Sequence, residues 1–408
     1  MRIGNVMVGQ SGGPTSVINS SLAGVLQAAK EAGAEKVYGM RNGIEGLLQE
    51  RYIDIEDYVK TALDIELLKR TPSSFLGSCR YKLPDAAVDE APYQKLFSIL
   101  KRLEVAHFFY IGGNDSMDTI QKLSKYARAI GSEITFMGVP KTIDNDLAVT
   151  DHTPGYGSAA KYIAAAMKEI VCDSTIYPME SVTIVEIMGR NAGWLTAASA
   201  LSKGEDCSGP DLIYLPETVF SYDSFLEKVN ALKSAKQSVV IAVSEGIRTA
   251  DGTYVCAGSM SAAEDSFGHR ILNGAATYLA EFLTDVLGVK ARGVAFSTLQ
   301  RCASHIVSRR DITEAHMAGA EAAHAAFRGE TGKMIIFSRT SNDPYNILTA
   351  PYDVDQIANL EKTVPLDWIT EDGTWVSQEF IAYARPLIIG ELTPFMVDGL
   401  PRHLYLQD

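Results

Sequence analysis

The sequence predicts an α/β fold, doubly wound around mostly parallel sheets. Three observations carry that prediction: short runs nearly continuous in apolar and β-branched residues, helical apolar spacings between those runs, and glycines with unusual polar residues where the runs end. Strands apolar on both faces belong to parallel sheets covered by helices. Ligands of such sheets bind outside the carboxyl ends of the strands.

Taken in order, Ile3 to Val8 reads as a strand. After Gly12-Gly13-Pro14, with Pro14 suited to a first helical turn, Ile18, Leu22, Val25, Leu26 and Ala29 mark one face of a helix ending near Gly33. Val105 to Ile111 is a second strand, followed by Gly112-Gly113 and a helix through Met117, Ile120 and Leu123. Ile134 to Val139 is a third, running into a polar segment. Ser181 to Met188 precedes Gly189 and a helix over Trp194 to Leu201; Asp211 to Leu215, Ser238 to Ser244 and Val294 to Leu299 complete the strands. The Gly/Pro-bearing stretch from Asp151 to Gly157 is the boundary between two sheets. The expected domains are therefore 1–155 and 156–300, with 301–408 packing back across both. From Thr340 onward, Pro344, Pro351, Pro365, Pro386 and Pro394 predict irregular structure with a few strands.

The chain has 408 residues, with 37 Lys and Arg against 50 Asp and Glu, a net charge of −13. That sign excludes DNA, RNA or an anionic membrane as the main partner. No apolar run reaches the length of a membrane helix, and the N-terminus runs straight into a strand, without a signal peptide. Cys79, Cys172, Cys207, Cys256 and Cys302 form no Cys-x-x-Cys pair, which fits small buried thiols in a reducing cytoplasm. The histidines lack metal-ligand spacing; His316 and His324 share a helical face expected to be solvated.

Chemistry gathers at the strand ends. Gly12 and Gly13 let the backbone approach a ligand, and the N–H groups of a following helix favour an anion. In Gly112-Gly113-Asn114-Asp115-Ser116, Asn114 can carry a metal-bound water or act as an oxygen ligand. Asp115 is either a plain N-cap or a charge that repels further phosphate. In Lys141-Thr142-Ile143-Asp144-Asn145-Asp146, alternation puts Asp144 and Asp146 on one side if the stretch is extended. One can then take a proton from a hydroxyl while the other positions Mg²⁺ or its waters. Lys141 and Arg190 would offset charge on a phosphoryl group in transit.

These motifs resemble the phosphofructokinase family, over nearly the whole chain and in order: GQSGGPTSVIN from Gly9, FLGSCR from Phe75, IGGNDSMDT from Ile111, VPKTIDNDL from Val139, EIMGRNAGWL from Glu186, VSEG from Val243 and TLQR from Thr298. Within the family the chain resembles the pyrophosphate-dependent branch. Asp115 stands where ATP-using members have a glycine that leaves room for the α-phosphate, and Lys141 replaces the glycine of their Pro-Gly-Thr-Ile-Asp.

The resemblance implies two doubly wound domains with the active site in the cleft between them. It implies Mg²⁺-dependent, reversible phosphoryl transfer from pyrophosphate to the 1-hydroxyl of fructose 6-phosphate. Asp144 would be the base, Asp146 would support Mg²⁺, Lys141 would neutralise the leaving group, and Arg190 would stabilise the phosphoryl group. Gly12, Gly13, Arg80, Asp115 and Ser116 fall on the donor side, with Asn114 at the metal-associated position where the family usually has aspartate. Thr142, Ile143, Met188, Gly189, Glu245, Thr298, Leu299 and Gln300 match the sugar-phosphate site, with Arg292 and Arg301 as 6-phosphate ligands. Because a neighbouring subunit's arginine completes that site in some members, a homodimer or homotetramer is expected. Ser181 and Thr298 replace an arginine and a histidine of bacterial ATP-using members. The alternatives are an ATP-dependent phosphofructokinase and a non-catalytic regulatory subunit of the same fold.

Overall fold

In the computed structural model, residues 3–176, 178–256 and 274–406 are described. β1 (Asn5–Gln10) and α1 (Ile18–Glu31) lead to β2 (Val37–Met40), α2 (Gly43–Leu48) and β3 (Tyr52–Asp54); α3 (Ala62–Arg70) and α4 (Ala91–Arg102) precede β4 (Val105–Gly112), α5 (Asn114–Ala129) and β5 (Thr135–Pro140). Then come α6 (Tyr156–Ser174), β6 (Ser181–Ile187), α7 (Trp194–Ala197), β7 (Leu212–Tyr214), α8 (Tyr222–Ala235), β8 (Ser238–Ser244), α9 (Ala275–Leu287) and β9 (Lys290–Ala295). The chain closes with α10 (Leu299–Cys302), α11 (Arg309–Phe327), β10 (Lys333–Asn342), β11 (Tyr345–Asp353), α12 (Gln378–Ala384) and a small hairpin of β12 (Met396–Val397) and β13 (Leu400–Pro401). None of the described helices is long and apolar enough to cross a membrane.

Two compact units result. The first comprises Met1–Ser158, Arg301–Glu361 and Ile389–Asp408; the second comprises Ala159–Gln300 and Lys362–Ile388. Residues 301–408, expected as one segment, are thus shared between the units.

The first unit holds a seven-stranded sheet in the order β11-β10-β5-β4-β1-β2-β3. β2, β1, β4, β5 and β10 run parallel, and the edge strands β3 and β11 are antiparallel to their neighbours. From β1 the chain crosses by α1 to β2 on one side, and from β4 it crosses by α5 to β5 on the other. The two helices cover opposite faces: Val6 and Val8 pack with α1 and α11, while Met7, Phe108 and Tyr110 pack with α4 and α5. The topological switch point therefore lies between β1 and β4, the usual ligand crevice of an open sheet. α1 and α11 cross so closely that a Cβ on Gly24 would lie 2.1 Å from the His316 carbonyl oxygen, and one on Gly319 would lie 2.0 Å from that of Ser21.

In the second unit four parallel strands follow the order β7-β8-β6-β9. Buried Val182, Ile184, Val239, Ile241 and Val243 pack against α8 and α9. The edge strand β9 is largely exposed. It ends at Ala295, so the strand expected over Val294 to Leu299 begins and ends earlier in the chain.

Other expectations change as well. Pro14 lies in a loop, four residues before α1 begins at Ile18. The helix expected over Trp194 to Leu201 is one α-turn continuing as a 3-10 turn over Ala198–Ser202. The few strands expected after Thr340 include a long antiparallel arm of β10 and β11. His316 is only partly exposed, its ring meeting Gln27 on α1 at 2.7 Å, whereas His324 is exposed. Cys79, Cys207 and Cys256 are buried, but Cys172 is exposed.

Candidate active site

In the first unit the loops after β1, β4 and β5 lie side by side because their strands are neighbours. Buried Gln10 and Asn19 fix the first of them. Gln10 donates to the Asn19 side chain and accepts from the Leu76 N–H, and Asn19 donates to the carbonyls of Thr71 and Ser73. This draws the segment bearing Arg80 onto the glycine loop, where the Gly12 N–H donates to the Cys79 carbonyl and the Ser78 hydroxyl donates to the Gly12 carbonyl. Gly12 is left-handed, with φ 74°.

Lys141 reaches into this loop. Its side chain is buried, and Nζ donates to the Gly13 carbonyl at 2.7 Å. A Cβ on Gly12 would stand 3.3 Å from that nitrogen, and one on Gly13 would stand 3.5 Å from a guanidinium nitrogen of Arg301. Burial pushes the Lys141 ammonium down to about 8; the carboxylates of Asp144 and Asp146 oppose this, and the charges of Arg80 and Arg301 add to it. Arg301, expected among the 6-phosphate ligands, thus stands beside the glycine loop.

The segment after Lys141 is not a regular strand, since Asn145 is left-handed with φ 56°. The alternation of burial persists all the same: Ile143, Asn145 and Leu147 are buried, while Asp144 and Asp146 are partly exposed. Asp144 accepts from the Thr142 hydroxyl at 3.0 Å. Asp146 is pushed up to about 7, first by loss of solvent, then by the negative charges of Asp144 and Glu361.

The β4 loop lies alongside. The Lys141 N–H donates to the Gly112 carbonyl, and a Cβ on Gly112 would collide with buried Ser116 at 1.9 Å. Asn114 and Asp115 begin α5, with Gly113 as a cap that has no side chain to offer. Asn114 Nδ2 donates to the Leu360 carbonyl at 2.8 Å, while its Oδ1 is buried without a hydrogen-bond partner. An unsatisfied carbonyl oxygen of this kind suits a hard cation. Among the described residues no three His, Cys, Asp or Glu side chains are grouped to hold a metal ion. The single free oxygen of Asn114 fits a Mg²⁺ ion only as one ligand, the others coming from phosphates and water. No motif in the sequence marks segment 359–361, which carries the Leu360 carbonyl and whose Glu361 bridges to Leu147.

In the second unit Met188, Gly189, Arg190, Glu245 and Gln300 gather at the carboxyl ends of β6 and β8. The Met188 N–H donates to Gln300 Oε1 at 3.2 Å, and the Gly189 N–H donates to Glu245 Oε1 at 3.4 Å. Gly189 has φ 145°, and a Cβ on Gly246 would lie 1.9 Å from the Arg190 carbonyl oxygen. Thr298 and Leu299 are exposed. Arg292 stands apart: it pairs in register with Thr183, donates to the Thr183 hydroxyl at 3.1 Å and reaches Asp173 at 3.0 Å. Thr183 lies four residues before the end of β6 at Ile187, roughly 13 Å of strand, and Gly189 lies two residues further on.

The family model described as Phosphofructokinase matches residues 5–326. The chain belongs to the phosphofructokinase family. A curated relative from Xanthomonas campestris, named pyrophosphate–fructose 6-phosphate 1-phosphotransferase, is 40% identical over 100% of this chain and 97% of its own length. One from Methylococcus capsulatus with the same name is 38% identical over 98% and 96%. Among solved structures, the pyrophosphate-dependent phosphofructokinase of Nitrosospira multiformis superposes with a TM-score of 0.88 at 36% identity, covering 98% of this chain and 95% of that one. This phosphofructokinase chain thus carries its β1, β4 and β5 motifs on one sheet and its Met188-Gly189-Arg190 and Glu245-Gly246 motifs on another.

Proposed function

We propose that this chain transfers a phosphoryl group reversibly between pyrophosphate and the 1-hydroxyl of fructose 6-phosphate. The observation that carries the choice of donor is the buried Lys141 ammonium, tied to the Gly13 carbonyl at 2.7 Å. A cation fixed there meets a small polyanion without a nucleoside to anchor it. Asp115, in the first turn of α5, adds a negative charge where a longer donor would continue. Gly12, Gly13, Arg80 and Ser116 complete the donor side. Thr142, Ile143, Met188, Gly189, Glu245, Thr298, Leu299 and Gln300 hold the sugar phosphate.

Asp144 accepts the proton of the 1-hydroxyl, oriented by its bond from the Thr142 hydroxyl. Lys141 and Arg190 offset charge on the phosphoryl group as it moves; alignment and charge neutralisation are most of what such a transfer asks of a protein. Asn114 Oδ1 and Asp146 would help hold Mg²⁺, which when bound lowers the charge of pyrophosphate. Arg301, beside the glycine loop, serves phosphate on either side of the transfer. Arg292, proposed as a 6-phosphate ligand, is engaged with Asp173 and Thr183 within its own chain, and the resemblance to family members whose sugar-phosphate site a neighbouring subunit's arginine completes supports a homodimer or homotetramer. The five thiols, none in a disulfide, fit a cytoplasmic setting.

Turnover with pyrophosphate and with ATP tests the donor. We expect activity with pyrophosphate and little with ATP; equal or better turnover with ATP overturns it. Asp115→Gly together with Lys141→Gly should admit ATP, and an unchanged donor preference removes these two residues as the gate. A chain that binds fructose 6-phosphate but makes no bisphosphate with either donor is a regulatory subunit.

A further inference from the structure

Behind the Asp144 segment lies a buried charged network that the proposed chemistry does not use. His152 is 1% exposed, and both ring nitrogens face carboxylates: Nδ1 meets Asp151 at 2.8 Å and Nε2 meets Glu314 of α11 at 2.8 Å. The outer ends are tied as well. Arg339 of β10 donates to Asp151 from Nε and Nη2, and the Tyr345 hydroxyl of β11 donates to Glu314 at 2.8 Å. Arg310 and Arg339 lie over the Tyr345 ring, and the His152 ring stacks on Phe337. One turn from Glu314, Asp311 accepts from the N–H groups of Gly155 and Ser158. A ring held between two carboxylates donates at both nitrogens. Burial disfavours that imidazolium, but the bonds to Asp151 and Glu314 outweigh it and raise the pKa above 6.5.

What the network holds is the chain just beyond it. Phe337 donates its N–H to the Thr150 hydroxyl, and that hydroxyl donates to the His152 carbonyl. Thr153 then braces the Asp144 segment at both flanks: its N–H donates to Asn145 Oδ1 at 3.1 Å, and its hydroxyl donates to the Thr142 carbonyl at 2.8 Å. The Thr142 N–H donates to the Pro154 carbonyl. Asn145 sits in the left-handed region, which asparagine tolerates when its side chain is hydrogen-bonded locally, and the Thr153 N–H supplies that bond. The residue that follows Thr142 and Ile143 and precedes Asn145 is Asp144.

We propose that His152, clamped between Asp151 and Glu314, is a positioning residue for Asp144, acting through Thr153 on Thr142 and Asn145. It touches no substrate. The inference rests on the reading of Asp144 as the base.

The test is a double-mutant cycle with separate kcat and KM. His152→Gln should lower kcat about 10- to 100-fold, the cost of a small misplacement of a catalytic group. KM for fructose 6-phosphate should move less than about 3-fold. In an Asp144→Ala background the same substitution should change the residual rate less than about 2-fold, because the group it positions is gone. Equal losses in both backgrounds would mean that His152 supports the fold generally, and an unchanged kcat in the single variant would mean that it positions nothing; either overturns the proposal. Near wild-type turnover of Asp144→Ala would instead remove the base reading, a result distinct from both. Should His152→Gln fail to fold, Glu314→Gln, which keeps the side-chain shape, is put through the same cycle with the same expectations.

Discussion

The loops at the ends of the two sheets are held in different ways. In the first unit the Asp144 segment is fixed by hydrogen bonds from Thr153 to Asn145 and Thr142 and by the Lys141 ammonium donating to the Gly13 carbonyl, and its charges are shifted by burial and by one another. In the second unit the Gly189-Arg190 turn is hydrogen-bonded too, the Gly189 N–H donating to Glu245 and its carbonyl accepting from the Ser244 hydroxyl, but it is also held by close backbone packing. Gly246 leaves no room for a Cβ against the Arg190 carbonyl, and Gly189 leaves none against the Ala192 carbonyl, 2.6 Å away. A hydrogen-bonded loop loses function by degrees as its bonds are removed. Where backbone packing is added to such bonds, a single methyl group in the contact displaces the whole turn.

The largest effect expected from breaking this contrast lies on the first side. Asp144→Ala should lower kcat about 10²- to 10⁴-fold, the usual worth of a positioned base, with fructose 6-phosphate binding nearly intact by calorimetry. Loss of sugar binding along with turnover would make Asp144 a binding group. On the second side, Gly246→Ala should displace the Arg190 backbone and cost roughly 10²-fold in kcat/KM, the scale of about 1 Å of misplacement. A near wild-type value would show that the turn yields without harm and that the two loops do not differ as argued.

The same contrast explains what could be read from sequence. Parallel strands such as Ser181–Ile187 and Ser238–Ser244 are legible because both faces are buried and apolar or β-branched residues fill most positions. β9 leaves no such pattern because it is an exposed edge strand. The β10–β11 arm was hidden by its own edge strand, whose unpaired side tolerates Pro351. At the site, Lys141, Asp144 and Asp146 were legible because charged residues crowd a short stretch after an apolar strand. The clamp on His152 was not: Glu314 lies 162 residues away on a helix whose small residues gave no chemical signal. Arg301 was placed with the sugar phosphate by resemblance, and only folding shows it beside Gly13.

The smallest and most discriminating effect concerns pH. Lys141 is held down to about 8, so in the free enzyme it loses its charge as pH rises through 8. If that charge receives pyrophosphate, kcat/KM for pyrophosphate should fall above pH 8, approaching about tenfold per pH unit, because kcat/KM reports free-enzyme ionisations. Lys141→Met should lower kcat/KM at pH 7 and abolish the limb, which separates it from titration of pyrophosphate itself. Stability moves the opposite way. A lysine whose folded pKa is below 10.5 binds its proton more tightly in the unfolded chain, so between pH 8 and 10.5 this group makes the fold more stable as pH rises. A fall in activity above pH 8 therefore cannot be the onset of unfolding at this site. Denaturant midpoints that drop in step with kcat/KM from pH 8 to 9 would place the cause elsewhere and return Lys141 to the status of a buried structural cation.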